Sequence, residues 1–232
     1  AGALVAIKKP FADVVRRRVY SHDEIRAIVK AQRAEVSPIL RSYWRLLWLT
    51  AARENNVRKM RWEAIEPAPT EDGGPEITGW FLAPGEMKAR RPEIVPMTSQ
   101  ALAVLEEMKQ WTGAHAYVHP KVGNGGRNWT KKPEAGERLH QREDSPIPRM
   151  GAAVKRICER SGVDFHPHAL RHTIMTYLGV LKVPEAIASR VLSHMPAGIP
   201  GVTSTYNHFA YLREKHDALS RWGAYLDKIL AG

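Results

Sequence analysis

Phe165-His166-Pro167-His168-Ala169-Leu170-Arg171-His172 is the stretch on which the reading of this chain turns. It reads as the first turn of a helix, with His168 and Arg171 three apart, so both side chains can face one anionic target. An arginine offers a planar fork that grips two oxygens of a phosphate, and an imidazole beside it can donate a hydrogen bond or move a proton near neutral pH. The same spacing also describes an exposed polar pair on an ordinary helix. The rest of the chain has to decide between the two.

The 232 residues suffice for one large domain or two small ones with a sizeable core. Thirty-five Lys and Arg against 24 Asp and Glu give +11 with histidine neutral. Such an excess fits a polyanionic partner, nucleic acid first and an acidic membrane surface second. No apolar run approaches the roughly 20 residues of a membrane-spanning helix, and no secretory leader is visible. The expected location is the cytoplasm. Cys158 is the single cysteine, which excludes an internal disulfide and argues against a zinc site built on thiolates.

Upstream of the opening stretch, residues 1–20 read as a basic N-terminal arm or linker remnant, with Arg16, Arg17 and Arg18, and residues 21–232 as the main domain. Ser21 and Glu24 have the spacing of a capping box before Ile25, Ile28 and Val29. Ser37-Pro38 opens a second helix whose Ile39, Leu40, Tyr43, Trp44, Leu46, Leu47 and Trp48 make it apolar on most of its surface, hence central. It runs into Thr50-Ala51-Ala52-Arg53, where small residues allow a tight turn that brings Arg53 out of a buried helix end. Arg53 then needs an anion there, either a bound one or a carboxylate at the edge of the core.

Two short apolar runs, Ile77 to Ala83 and Glu93 to Met97, predict a β-hairpin with Lys88 in or beside its turn, and Ile65 opens a preceding strand. Ser99 is read as the cap of a helix with Leu102, Leu105, Met108 and Trp111 on its apolar side, ended by Gly113. Residues 119–147 are rich in Gly, Pro and charge and read as a long loop. Met150, Val154, Ile157 and Cys158 mark the next helix, where the cysteine is a small core residue. Beyond Arg171 a buried helix continues through Ile174, Tyr177 and Leu178, Pro184 starts another, and Leu212 to Ile229 form a final amphipathic helix that docks in cis or on a neighbouring chain. The fold class expected is mainly α with a small antiparallel β-sheet, α+β.

Taken in order, these pieces resemble the catalytic domain of the tyrosine recombinases, the phage-integrase family, over roughly residues 20–225. Thr50-Ala51-Ala52-Arg53 leading to Met60-Arg61-Trp62 is similar to the first arginine box, and Lys88 before Ile94-Val95-Pro96-Met97 to the hairpin lysine. His168-Ala169-Leu170-Arg171-His172 resembles the second box, Leu192-Ser193-His194 the second-histidine box, and Tyr206 with the segment after it the nucleophile region. The resemblance implies a site-specific recombinase acting on double-stranded DNA at attachment or recombination sites through a 3′-phosphotyrosyl intermediate. It implies assembly into a tetramer on that DNA, association with the nucleoid when bound, and no cofactor.

The site residues it carries over are Arg53, Lys88, His168, Arg171, His194 and Tyr206. Two guanidinium forks suit the charge that spreads over non-bridging phosphate oxygens in the transition state. Tyr206 would attack phosphorus with His168 assisting proton transfer, Lys88 would protonate the leaving 5′-oxygen, and His194 would donate to a phosphate oxygen. Tyr211 is the rival nucleophile five residues on. His166 and His172 read as a turn residue and a packing residue, Arg90 and Arg91 as DNA-backbone contacts. The family usually has an acidic residue where this chain has Asn56. Two alternatives stay open: a DNA-binding relative without catalysis, to which Asn56 points, and a type IB topoisomerase-like activity, which uses similar chemistry without site specificity.

Overall fold

The helix from Pro38 to Thr50 (α2) organises the protein because apolar side chains leave it in nearly every direction. In the computed structural model, which describes residues 18–70, 73–86, 92–122, 134, 136, 144–193 and 211–232, it is packed by helices on several sides. These are α1 (His22–Arg33), α4 (Ser99–Thr112), α6 (Pro167–Val180) and α8 (Leu212–Ala231), with α3 (Glu54–Arg58) directly after it. Two further helices, α5 (Gly151–Ser161) and α7 (Glu185–Val191), pack on α1 and on α8.

Polar atoms of the large rings register the helices. Trp48 Nε1 donates to Gln32 Oε1 of α1 at 2.9 Å, and Trp222 Nε1 of α8 donates to the Trp48 carbonyl at 2.7 Å. Trp44 meets Phe165 edge to face at 5.7 Å between ring centres, which anchors the turn before α6. Tyr20, assigned to the arm from sequence, is fully buried, and its backbone N–H donates to Thr173 Oγ1 at 3.0 Å. The final helix docks in cis.

Strands β1 (Ile65–Ala68), β2 (Ile77–Leu82) and β3 (Glu93–Pro96) form the expected antiparallel sheet in the order β1-β2-β3, with Leu82 opposite Glu93 at the hairpin end. Gly79 of β2, opposite Pro96, has no room for a side chain, since a Cβ on it would stand 2.7 Å from Ile94 Cγ2. The ends of the long loop are also tied: Lys121 N donates to the Ser145 carbonyl at 2.7 Å, and Ile147 N to the His119 carbonyl at 2.9 Å.

The capping box of α1 forms as read, with Ser21 and Glu24 each bonded to the other's backbone N–H. Two local expectations are corrected. Thr98 rather than Ser99 caps α4, accepting from Ala101 N, and Leu102 is exposed. The buried side of α4 is Ala101, Val104, Leu105, Met108, Trp111 and Thr112. Leu102 lies about 120° round the helix from Met108, and small Ala101 lets the helix approach its neighbours in its place. Among the described residues no helix is long and apolar enough to cross a membrane.

Candidate active site

The site begins where α2 stops. Ala51 takes a left-handed conformation with φ 52°, which costs a non-glycine residue about 1 kcal/mol or more. Thr50 supports that turn: its hydroxyl donates to the Leu46 carbonyl at 2.6 Å and accepts from Ala52 N at 3.3 Å. The chain then leaves in extended form at Arg53, whose carbonyl caps α3 by accepting from Asn56 N and Val57 N. The tight turn expected of Thr50-Ala51-Ala52 is thus present, and the half-buried Arg53 emerges from it. Asn56, three residues on, is buried.

The second part is the start of α6. Pro167 occupies the first turn, where its missing N–H costs nothing. The Tyr20 hydroxyl accepts from His166 N at 2.7 Å and holds the approach to the helix. Four residues into α6, Arg171 turns inward and is only 6 % exposed. Its Nη1 donates to the Ala51 carbonyl and its Nη2 to the Leu192 carbonyl. One side chain therefore joins the turn before Arg53, the start of α6 and the end of α7, three pieces far apart in sequence. Ser193 follows in a left-handed conformation, φ 53°, and directs the chain out of α7.

Burial pushes the Arg171 guanidinium down to about 10, with the positive charge of Arg53 adding to it. It stays protonated at neutral pH, as one of two neighbouring cations at the edge of the core. Such a pair is stabilised by an anion between them. Partial loss of hydration lowers the His168 imidazole below its ordinary value, and His172, Arg171 and Arg53 push the same way. His168 is accordingly neutral at pH 7 and able to accept a proton. The rings of His168 and His172 meet edge to face at 5.0 Å, so His172 borders the site. The structure brings Arg53, His168 and Arg171 within electrostatic reach of one another.

Lys88, His194 and Tyr206 lie outside the described residues, as do Arg90 and Arg91. What is described is the frame on either side. Tyr211 begins α8 in a left-handed conformation, and the Arg190 guanidinium of α7 lies 3.9 Å from its ring centre. That cation–π contact fastens the ends of the two helices flanking residues 194–210. Sequence reasoning missed the two carbonyls that hold Arg171, because a backbone acceptor carries no residue signature. It also missed Lys215, buried in the first turns of α8.

Comparison with known proteins agrees with this architecture. Residues 18–213 match the description "Phage integrase family". The chain is 32 % identical over 214 residues to prophage integrase IntZ of Escherichia coli K12, covering 90 % of this chain and 45 % of that protein. It is 25 % identical over 179 residues to prophage integrase IntA of the same organism, covering 77 % and 36 %. The chain thus spans less than half the length of these curated relatives. With the match running from the strand of chain before α1 into the start of α8, through both arginine segments, the chain belongs to the phage integrase family.

Proposed function

We propose that this chain is the catalytic domain of a site-specific DNA recombinase that cuts and rejoins strands through a tyrosine. The observation that carries the reading is Arg171, fixed by the Ala51 and Leu192 carbonyls beside Arg53. A guanidinium has five N–H donors, and two bonds to carbonyls lock its plane while donors remain for a phosphate. Preorganisation of that kind is what stabilises charge developing on non-bridging oxygens without reorganisation at the moment of reaction.

In the proposed reaction the Tyr206 oxygen attacks phosphorus and the bond from phosphorus to the 5′-oxygen breaks. A phenol titrates near ~10 and needs a proton acceptor at neutral pH; neutral His168 takes that proton. Lys88 gives a proton to the departing 5′-oxygen, and His194 donates to a phosphate oxygen. The 3′-phosphotyrosyl bond keeps the energy of the broken phosphodiester for rejoining. Arg190 occupying the face of the Tyr211 ring supports Tyr206 over Tyr211 as the nucleophile. Double-stranded DNA is the partner, with assembly into a tetramer on the recombination site.

The test is covalent trapping on nicked duplexes drawn from the flanks of the protein's own gene, run with a chelator present. A DNA adduct on a denaturing gel with the wild type, absent in Tyr206→Phe and kept in Tyr211→Phe, is the expected result. Specific DNA binding without any adduct would replace this reading with that of a DNA-binding relative. Relaxation of plasmid that lacks defined sites would replace it with a topoisomerase-like activity.

A further inference from the structure

A histidine that moves protons is commonly aimed by a hydrogen bond on its second ring nitrogen. His168 stands exposed in the first turn of α6, and among the described residues no hydrogen bond or ion pair reaches its ring. The torsion that turns an imidazole on its Cβ is broad, so a ring held only at Cβ does not present one nitrogen in one direction. A general base has to lie within hydrogen-bond reach of the proton it takes, which makes that direction a chemical requirement.

What touches the ring is His172. The two lie four residues apart on α6, a spacing that sets their side chains next to each other. Their ring centres are 5.0 Å apart and their planes 86° from parallel, the arrangement in which the positive edge of one ring meets the negative face of the other. His172 is the better held of the pair: it is half-buried and directly follows Arg171, which the Ala51 and Leu192 carbonyls fix. The charges around His168 all run one way. Arg171 and His172 on its own helix and Arg53 from the turn after α2 disfavour a proton on it, and α7 and α8, which also pack on α6, bring no carboxylate that acts on it among the described residues. No carboxylate therefore orients the ring, and the contact with His172 is what remains to do so.

We propose that His172 is a positioning residue, which holds the plane of the His168 ring and so aims the nitrogen that takes the proton of the attacking hydroxyl. The inference rests on the cutting-and-rejoining reaction given above, with His168 as proton acceptor. In the step concerned the O–H bond of the attacking phenol breaks and an N–H bond forms on neutral His168. The oxygen so freed bonds to phosphorus, and the 5′-oxygen departs with the electron pair of its bond to phosphorus. On rejoining, the His168 imidazolium returns its proton to the phenol.

The experiment measures trapping at saturating DNA at about pH 8, where His168 is neutral, with DNA affinity and melting temperature alongside. Alanine favours the helix, so His172→Ala keeps α6. It should slow trapping by about 100-fold with affinity kept, as misplacement of a catalytic group by about an ångström does. His172→Phe puts a ring back and should recover most of that loss. In a His168→Ala background, His172→Ala should cost nothing further, because it acts through His168. NMR titration of the protein without DNA should show His168 moving up toward the ordinary imidazole value in both single variants, since the charge of His172 no longer opposes its proton. Wild-type trapping by His172→Ala, equal loss in the alanine and phenylalanine variants, a further loss in the double variant, or an unmoved His168 titration would overturn the role of His172. A wild type that traps no DNA, or His168→Ala trapping as the wild type does, would instead remove the reading on which the inference rests.

Discussion

At the scale of single residues, Arg171 has a structural and a chemical part that substitution can separate. Lysine keeps the charge but cannot reach the Ala51 and Leu192 carbonyls together, so Arg171→Lys leaves a buried acceptor unpaired. The expected cost is about 2 kcal/mol of folding stability, seen as a lower urea midpoint. Trapping of DNA should fall by at least about 100-fold as well, the usual effect of losing one preorganised donor. Arg53 caps α3 with its backbone, which any residue can supply. Arg53→Ala should therefore abolish trapping while leaving the urea midpoint and most DNA affinity unchanged. Parallel loss of affinity and trapping in Arg53→Ala would remove Arg53 from the reaction centre.

At the scale of elements, His119 fastens the start of the long loop to α2 and α3. Its Nδ1 lies 3.0 Å from the Val57 carbonyl, which only accepts, so Nδ1 carries the proton. Nε2 then accepts from the Ser42 hydroxyl at 3.1 Å, and the ring is neutral. Complete burial lowers its pKa to about 4, against the bond to Val57. Because the folded value lies below that of the unfolded chain, the unfolded chain binds the extra proton between them. Stability from this group is present above pH 6.5 and is lost as pH falls toward 4. The loss is about 3 kcal/mol. Urea melts from pH 7 to 4 should show this slope, and His119→Asn should flatten it.

At the scale of the whole molecule, net charge and the site point to the same partner. With +11 on 232 residues, most of the affinity for DNA should come from contacts with phosphates away from the reacting one. Binding to a duplex should weaken by about 1,000-fold between about 50 and 200 mM salt, measured by titration at several salt concentrations. A flat response would separate the basic surface from DNA recognition. The core is built around α2, so Arg53 and Arg171 are held at the end of an apolar helix, and α8 packs on that helix through Trp48 and Trp222.

Much of this was legible in the residues themselves. The Ser21–Glu24 capping box, the apolar surround of α2, the hairpin runs and the arginine segments are local patterns, and local patterns follow from backbone sterics and side-chain chemistry. They sufficed for the fold class and for the turn after α2 and the start of α6, the two places that carry Arg53, His168 and Arg171. The exposed Leu102 was misread because periodicity alone does not say which neighbour a helix faces. The grip on Arg171 could not be read at all, since its partners are the carbonyls of Ala51 and Leu192, 120 and 21 residues away. Every residue carries such a carbonyl, and only tertiary packing decides which two converge on one guanidinium. The same holds for Lys215 and Glu93: the sequence by itself determined that both are ionisable, and the tertiary structure decided that they meet, because burial takes Lys215 out of water and leaves the Glu93 carboxylate and the Ile94 carbonyl as the acceptors within reach.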